Sequence, residues 1–137
     1  MLSLSNASDI VDAALRWARE LKLRPVTVTV FDPGGHPLVI KREDGSGILR
    51  PQIAPAKAWG CLGTGRGGAP ANRDAAFIAA LAAISDGRIA ASRGSVLIRD
   101  AQGDLLDAVG VSGDRSENDE ACAIAGIQHD GLAADAG

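Results

Sequence analysis

Residues Val26 to Val30 read Val-Thr-Val-Thr-Val, a strict alternation of β-branched residues that suits one strand of a sheet and suits a helix badly. Asp32-Pro33-Gly34-Gly35 follows at once. Each of these residues favours a turn for its own reason: Asx hydrogen bonding, a fixed φ, or freedom to take positive φ. His36 to Arg42 then reads as the returning strand. Pro37 stands at its beginning, where a missing donor is tolerable. So short a connection imposes antiparallel pairing, because parallel strands need a long crossover. The pattern recurs: Ser95 to Arg99 is a strand, Asp100-Ala-Gln-Gly103-Asp a turn, and Leu105 to Val111 the partner strand.

Helical patterns separate and flank the two hairpins. From about Ala7 to Leu21, with Ser5 or Asn6 as cap, Ile10, Ala14, Trp17 and Leu21 recur on one face, and Pro25 closes the segment. Pro51 to about Cys61 is helical with a start near Pro55. Asn72 caps a third helix to about Ser85, with Phe77, Leu81 and Ile84 on its apolar side and Asp86-Gly87 as its stop. A fourth helix runs from Ser116 to about Gln128, and Gly131 onward reads as a frayed tail of small residues. The order α-β-β-α-α-β-β-α predicts an α/β (α+β) fold. Its antiparallel sheet would have about four to five strands, with helices packed on it. At 137 residues, 1–137 is expected to be a single domain.

Composition narrows the function. Apolar residues make up 46% of the chain, enough for a core, but aromatic residues only 3%, so that core is built of Ala, Val, Ile and Leu. The net charge is -3, with no basic block and no set of aromatics for stacking bases, which argues against nucleic acid. No apolar run reaches the length of a membrane span, and Met1 to Ile10 lacks the basic start and apolar centre of a signal peptide. Cytoplasm is the expected location. Cys61 and Cys122 make no disulfide framework and no cysteine–histidine cluster has zinc spacing, so no metal site is expected. Gly63-Thr-Gly65-Arg-Gly-Gly68 matches GxGxxG, but no strand precedes it and no βαβ unit surrounds it, so the dinucleotide reading is rejected.

The stretch Leu105 to Cys122 carries the densest local information. It reads as strand, glycine-bracketed turn and helix start, with Ser116 as N-cap and Asp119 three residues on. Two readings stay open. One is a well-capped strand–turn–helix. The other is a ligand site made of free N–H groups from Gly113 to Glu117, the Ser112 hydroxyl and the Asp119 carboxylate.

Five segments, taken in order, resemble the GlcG/HbpS family, the haem-degrading-domain family that also includes the C-terminal domain of PduO-type proteins. They are Val28-Thr-Val-Phe-Asp32-Pro-Gly-Gly35, Arg42-Glu-Asp44-Gly45, Ala54-Pro-Ala-Lys57-Ala58, Val109-Gly-Val-Ser-Gly113 and Asp119-Glu120. The resemblance covers nearly the whole chain. It implies an antiparallel α/β fold, dimers or larger rings, and haem binding in some members. Two segments depart from the family pattern, Ser92-Arg93-Gly94-Ser95-Val96 and Ser46-Gly47-Ile48-Leu49-Arg50-Pro51. Both could border a pocket.

The candidate chemistry centres on Lys57, Asp44 and Asp119. Lys57 is either a surface lysine or a pocket cation for a carboxylate or haem propionate; desolvated, it could act as a base. Asp44 is either a turn former before Gly45 or a group that orients Lys57 or acts as a general base. If Asp44, Asp119 and Lys57 converge, proton transfer becomes credible. Arg42, Arg66 and Arg93 could hold a carboxylate, or could be solvated loop charges. An axial haem ligand could come only from His36, His129, Cys61 or Cys122, with Cys61, beside the glycine loop, the better candidate for a reactive thiol.

Three readings follow. The first is a small-molecule-binding protein with haem or another anionic ligand near Lys57 and Ser112, with Arg42 and Gly113 alongside. The second is an enzyme without a redox cofactor, a lyase, isomerase or hydrolase acting on a small carboxylate or carbonyl compound through Asp44, Lys57 and Asp119. The third is an oligomeric accessory protein whose apolar Ala-rich helices form subunit contacts. A homo-oligomer, dimer or larger, is expected.

Overall fold

The computed structural model describes residues 1–68, 74–90 and 92–137. The elements are α1 (Leu4–Glu20), β1 (Thr27–Phe31), β2 (Pro37–Arg42), α2 (Arg50–Thr64), α3 (Ala75–Ile84), β3 (Ser95–Arg99), β4 (Leu105–Ser112), α4 (Ser116–His129) and β5 (Ala133–Asp135). The strands form one antiparallel sheet in the order β2-β1-β4-β3-β5. Both expected hairpins are present, β1 with β2 and β3 with β4. They join edge to edge through β1 and β4, where Thr27 faces Ser112 and Val30 faces Val109.

Strand alternation divides the core in two. Val28, Val30, Val96, Ile98, Val109 and Val111 point to one face, where α1 and α4 cover them with Ala7, Ile10, Val11, Ala14, Ala123 and Ile127. Phe31, Leu97 and Ala108 point to the other, where Ala58 and Cys61 of α2 meet them. Gly110 lets α2 lie close on β4, since a Cβ there would run into the Ala54 carbonyl.

Several local expectations are corrected. Helix α1 is capped by the Ser3 hydroxyl, which accepts from the Asn6 N–H, and not by Ser5 or Asn6. Its buried stripe is Ala7, Ile10, Val11, Ala14 and Ala18, while Trp17 and Leu21 are exposed. Helix α2 begins a full turn before Pro55, with Pro51 in its first turn, where a missing N–H costs nothing. Asn72 lies outside the described residues, and Asp74 is the N-cap of α3. That helix buries none of its side chains. The residues after Gly131 include β5, which pairs Leu97 with Asp135 and is fastened by an ion pair from Arg99 Nε to Asp135 Oδ2 at 2.8 Å.

Candidate functional site

Lys57 projects from the middle of α2 toward the far end of β4. There its Nζ donates to the Val111 carbonyl at 2.9 Å and to Asp119 Oδ2 at 3.1 Å. Neither side chain is exposed, at 3% for Lys57 and 1% for Asp119. The alanines around Lys57 let its stem sink against the sheet. Gly94 completes the enclosure, because a Cβ there would lie 2.7 Å from Nζ. Burial pulls the Lys57 amine down from its ordinary value and pushes the Asp119 carboxyl up, and their mutual attraction opposes both shifts.

The second oxygen of Asp119 holds the turn. Asp119 Oδ1 accepts the Asp114 N–H at 2.9 Å, and the Gly113 N–H also bonds this carboxylate. Asp114 in turn accepts from the Arg115 N–H, the Asn118 amide and the Arg24 N–H, which holds its carboxyl well below the usual range. The turn's N–H groups at Gly113, Asp114 and Arg115 are therefore engaged within the chain. Ser116 does not cap α4: it is the first helical residue, and its hydroxyl meets that of Ser92 at 2.9 Å.

The remaining candidates are dispersed. Ser112 accepts from Arg50 Nη1 at 3.0 Å, a partner that sequence reading missed although Arg50 lies in a segment that departs from the family pattern. Arg42 donates to the Ser46 carbonyl at 3.1 Å. Asp44 is exposed and lines a separate groove with Arg19, Pro25, Arg42 and Glu43. Among the described residues no hydrogen bond or ion pair joins Asp44 to Lys57 or Asp119. Arg93 pairs with Glu120 at 2.7 Å. Cys61 is corrected from a reactive thiol to a core residue, with burial pushing it up to about 12; Cys122 is likewise buried and pushed up to about 12. His36 lies exposed at the first hairpin, 3.3 Å from Asp32. Among the described residues no group of His, Cys, Asp or Glu could hold a metal ion.

His129 lies elsewhere, at the end of α4. It lines an open groove of about 450 Å³ between α1 and α4. The groove's apolar wall is Ala13, Trp17, Ala121, Ile124 and Ala125, and Arg16, Glu20, Gln128 and His129 stand at its rim. Trp17, 38% exposed, is its largest side chain.

The family model for the haem degrading protein HbpS-like group matches residues 2–128. This chain belongs to the HbpS-like family. Its fold is that of solved HbpS-like structures. HbpS itself superposes with a TM-score of 0.81 at 27% identity, over 93% of this chain and 89% of that one. Klebsiella pneumoniae ORFY gives 0.83 at 26%, over 95% and 90%. The haem complex of PduOC gives 0.84 at 21%, over 98% of both chains. Comparison with curated protein sequences finds no match. The HbpS-like assignment supports a haem-related small-molecule-binding protein, and no described helix is long and apolar enough to cross a membrane.

Proposed function

We propose that this HbpS-like protein binds haem, or another flat ligand bearing carboxylates, in the groove between α1 and α4. The observation that carries the reading is the coincidence of His129 with an apolar wall in a groove of ligand size, about 450 Å³. Haem brings an iron that needs an axial donor. Of the four residues that could supply one, both cysteines are buried in the core and His36 stands exposed at a hairpin turn beside Asp32. His129 alone of the four lines this groove. Trp17 and Ile124 would lie against the ring, and the alanines leave room for a flat body to approach the helices. Arg16 makes no ion pair or side-chain hydrogen bond among the described residues, so its fork is free for a propionate. Glu20 on the same rim disfavours a second anion there. Support also comes from the family description and from the haem carried by the PduOC structure. The Lys57–Ser112 region suits a ligand less well, because Lys57 is engaged by Asp119 and Val111, and Ser112 by Arg50.

Titration of the purified protein with haemin, followed by visible absorption, tests this. A sharp Soret band should saturate at one haemin per chain. His129→Ala should abolish its sharp form, and Arg16→Gln should weaken binding roughly tenfold, as loss of a charge-assisted hydrogen bond does. A broad shift that does not saturate and is the same in wild type and both variants would overturn the reading.

A further inference from the structure

On the opposite side of the sheet from the groove, Phe31, Gln52, Pro55, Ala56, Trp59 and Arg88 line a second cavity of about 320 Å³, together with Gly87. Its walls are apolar and its floor is an indole. The guanidinium of Arg88 stacks over that indole, 4.1 Å from the ring centroid. A stacked guanidinium keeps its N–H edge open, because the ring engages only its face. Among the described residues Arg88 makes no ion pair and no side-chain hydrogen bond. Asp86, two residues away, does not pair with it. Among the described residues the Gln52 side-chain amide makes no hydrogen bond either.

The arrangement is held from both sides. Gly35, at φ +79° in the first hairpin turn, lies so close to the indole that a Cβ there would be 2.6 Å from Trp59 Nε1. Arg88 is positioned by its neighbours: Ile89 packs on Gly60, and the Ala90 N–H donates to the Ala56 carbonyl at 3.3 Å. An unpaired planar cation fixed at the edge of an aromatic, apolar cavity is matched by a planar acid. We infer that this cavity is a binding site for a small flat carboxylate. Its apolar body lies against Phe31, Pro55 and Trp59, and its carboxylate takes the Arg88 fork with Gln52 as second donor. The site is on the other face from the proposed haem groove and does not depend on haem.

The indole N–H resonance of Trp59, assigned by its loss in Trp59→Phe, reports on the site, and that of Trp17 reports separately on the groove between α1 and α4. Benzoate, cinnamate and naphthoate are the probes, each titrated to about 10 mM, the range of weak small-ligand affinity. At least one should shift the Trp59 signal saturably, with a midpoint that is unchanged in Arg16→Gln, the variant of the other groove. The matching neutral amide should bind at least roughly tenfold more weakly, as should Arg88→Gln, with Arg88→Lys in between. Arg88 is exposed, so these variants keep the fold. No saturable shift with any of the three acids, or equal binding of acid and amide, or unchanged binding in Arg88→Gln, would overturn the inference.

Discussion

The two faces of the sheet are built to different standards. On one, α1 and α4 close over a continuous layer of Val, Ile and Ala, and Gly126 lets the two helices approach so closely that a Cβ would lie 2.6 Å from the Ile10 carbonyl. On the other, α2 covers a smaller cluster around Phe31, Leu97 and Ala108, and α3 contributes no buried side chain. The first face spends on stability the apolar surface that lies against the sheet, and its groove at Trp17 and His129 lies outside that layer. The second keeps a glycine-lined turn, an unpaired arginine and an open cavity. The Lys57–Asp119 pair links them, because Lys57 belongs to α2 on one face and Asp119 to α4 on the other, and they meet beyond the end of β4.

Breaking that link should have the largest effect. Lys57→Ala leaves the Asp119 carboxylate buried without its cation, which costs roughly 3–5 kcal/mol of unfolding free energy in urea denaturation. The pH dependence identifies the cause. Without Lys57 the folded-state value of Asp119 rises further above its unfolded value, so the folded state binds the proton more readily than the unfolded state. The variant should therefore regain stability as pH falls from neutrality toward the unfolded carboxylate value of about 3.9. Lys57→Ala with wild-type stability, or a loss that does not shrink on acidification, would show that the faces are joined by something else.

What was legible in the sequence divides along the same line. Both hairpins and the helix order follow from local rules, since alternation, turn residues and β-branching act within a few residues of each other. The strand β5 was not legible: Ala133-Ala134-Asp135 has no β-branched residue, and its extended form comes from pairing with β3 and from the Arg99 ion pair. The α1 stripe was misplaced because Trp17 and Leu21 weigh more in a periodicity than Ala7 and Ala18, whereas close helix packing here favours the alanines. Lys57 and Asp119 were both singled out, but Val111 and Asp119 lie far along the chain from Lys57, and no local pattern states that they meet it. The groove at His129 and the cavity at Trp59 were invisible for the same reason, as each is lined by segments distant in sequence.

A cavity made in the better-packed face comes next in size. Ile10 is fully buried between α1 and the sheet. Ile10→Ala removes its contacts where α1 and α4 are already too close to relax inward. The expected loss is roughly 2–5 kcal/mol in the same denaturation experiment. A loss below about 1 kcal/mol would mean that this layer repacks freely. The contrast between the faces would then be one of residue type and not of packing.

The smallest effect belongs to α3, and it bears most directly on the comparison. Ile84 is 82% exposed at the end of a helix that buries nothing. In the folded chain it has little to lose, so Ile84→Ser should change stability by less than about 0.5 kcal/mol. Serine lowers intrinsic helix propensity slightly, and a terminal position mutes that cost. The paired reading of Ile10→Ala and Ile84→Ser, a buried isoleucine of the packed layer and an exposed one at the end of α3, measures the asymmetry in a single quantity. If Ile84→Ser costs as much as Ile10→Ala, the second face carries as much of the folding energy as the first. Its open cavity and unpaired Arg88 would then have to be explained as part of a packed layer rather than as space kept for a ligand.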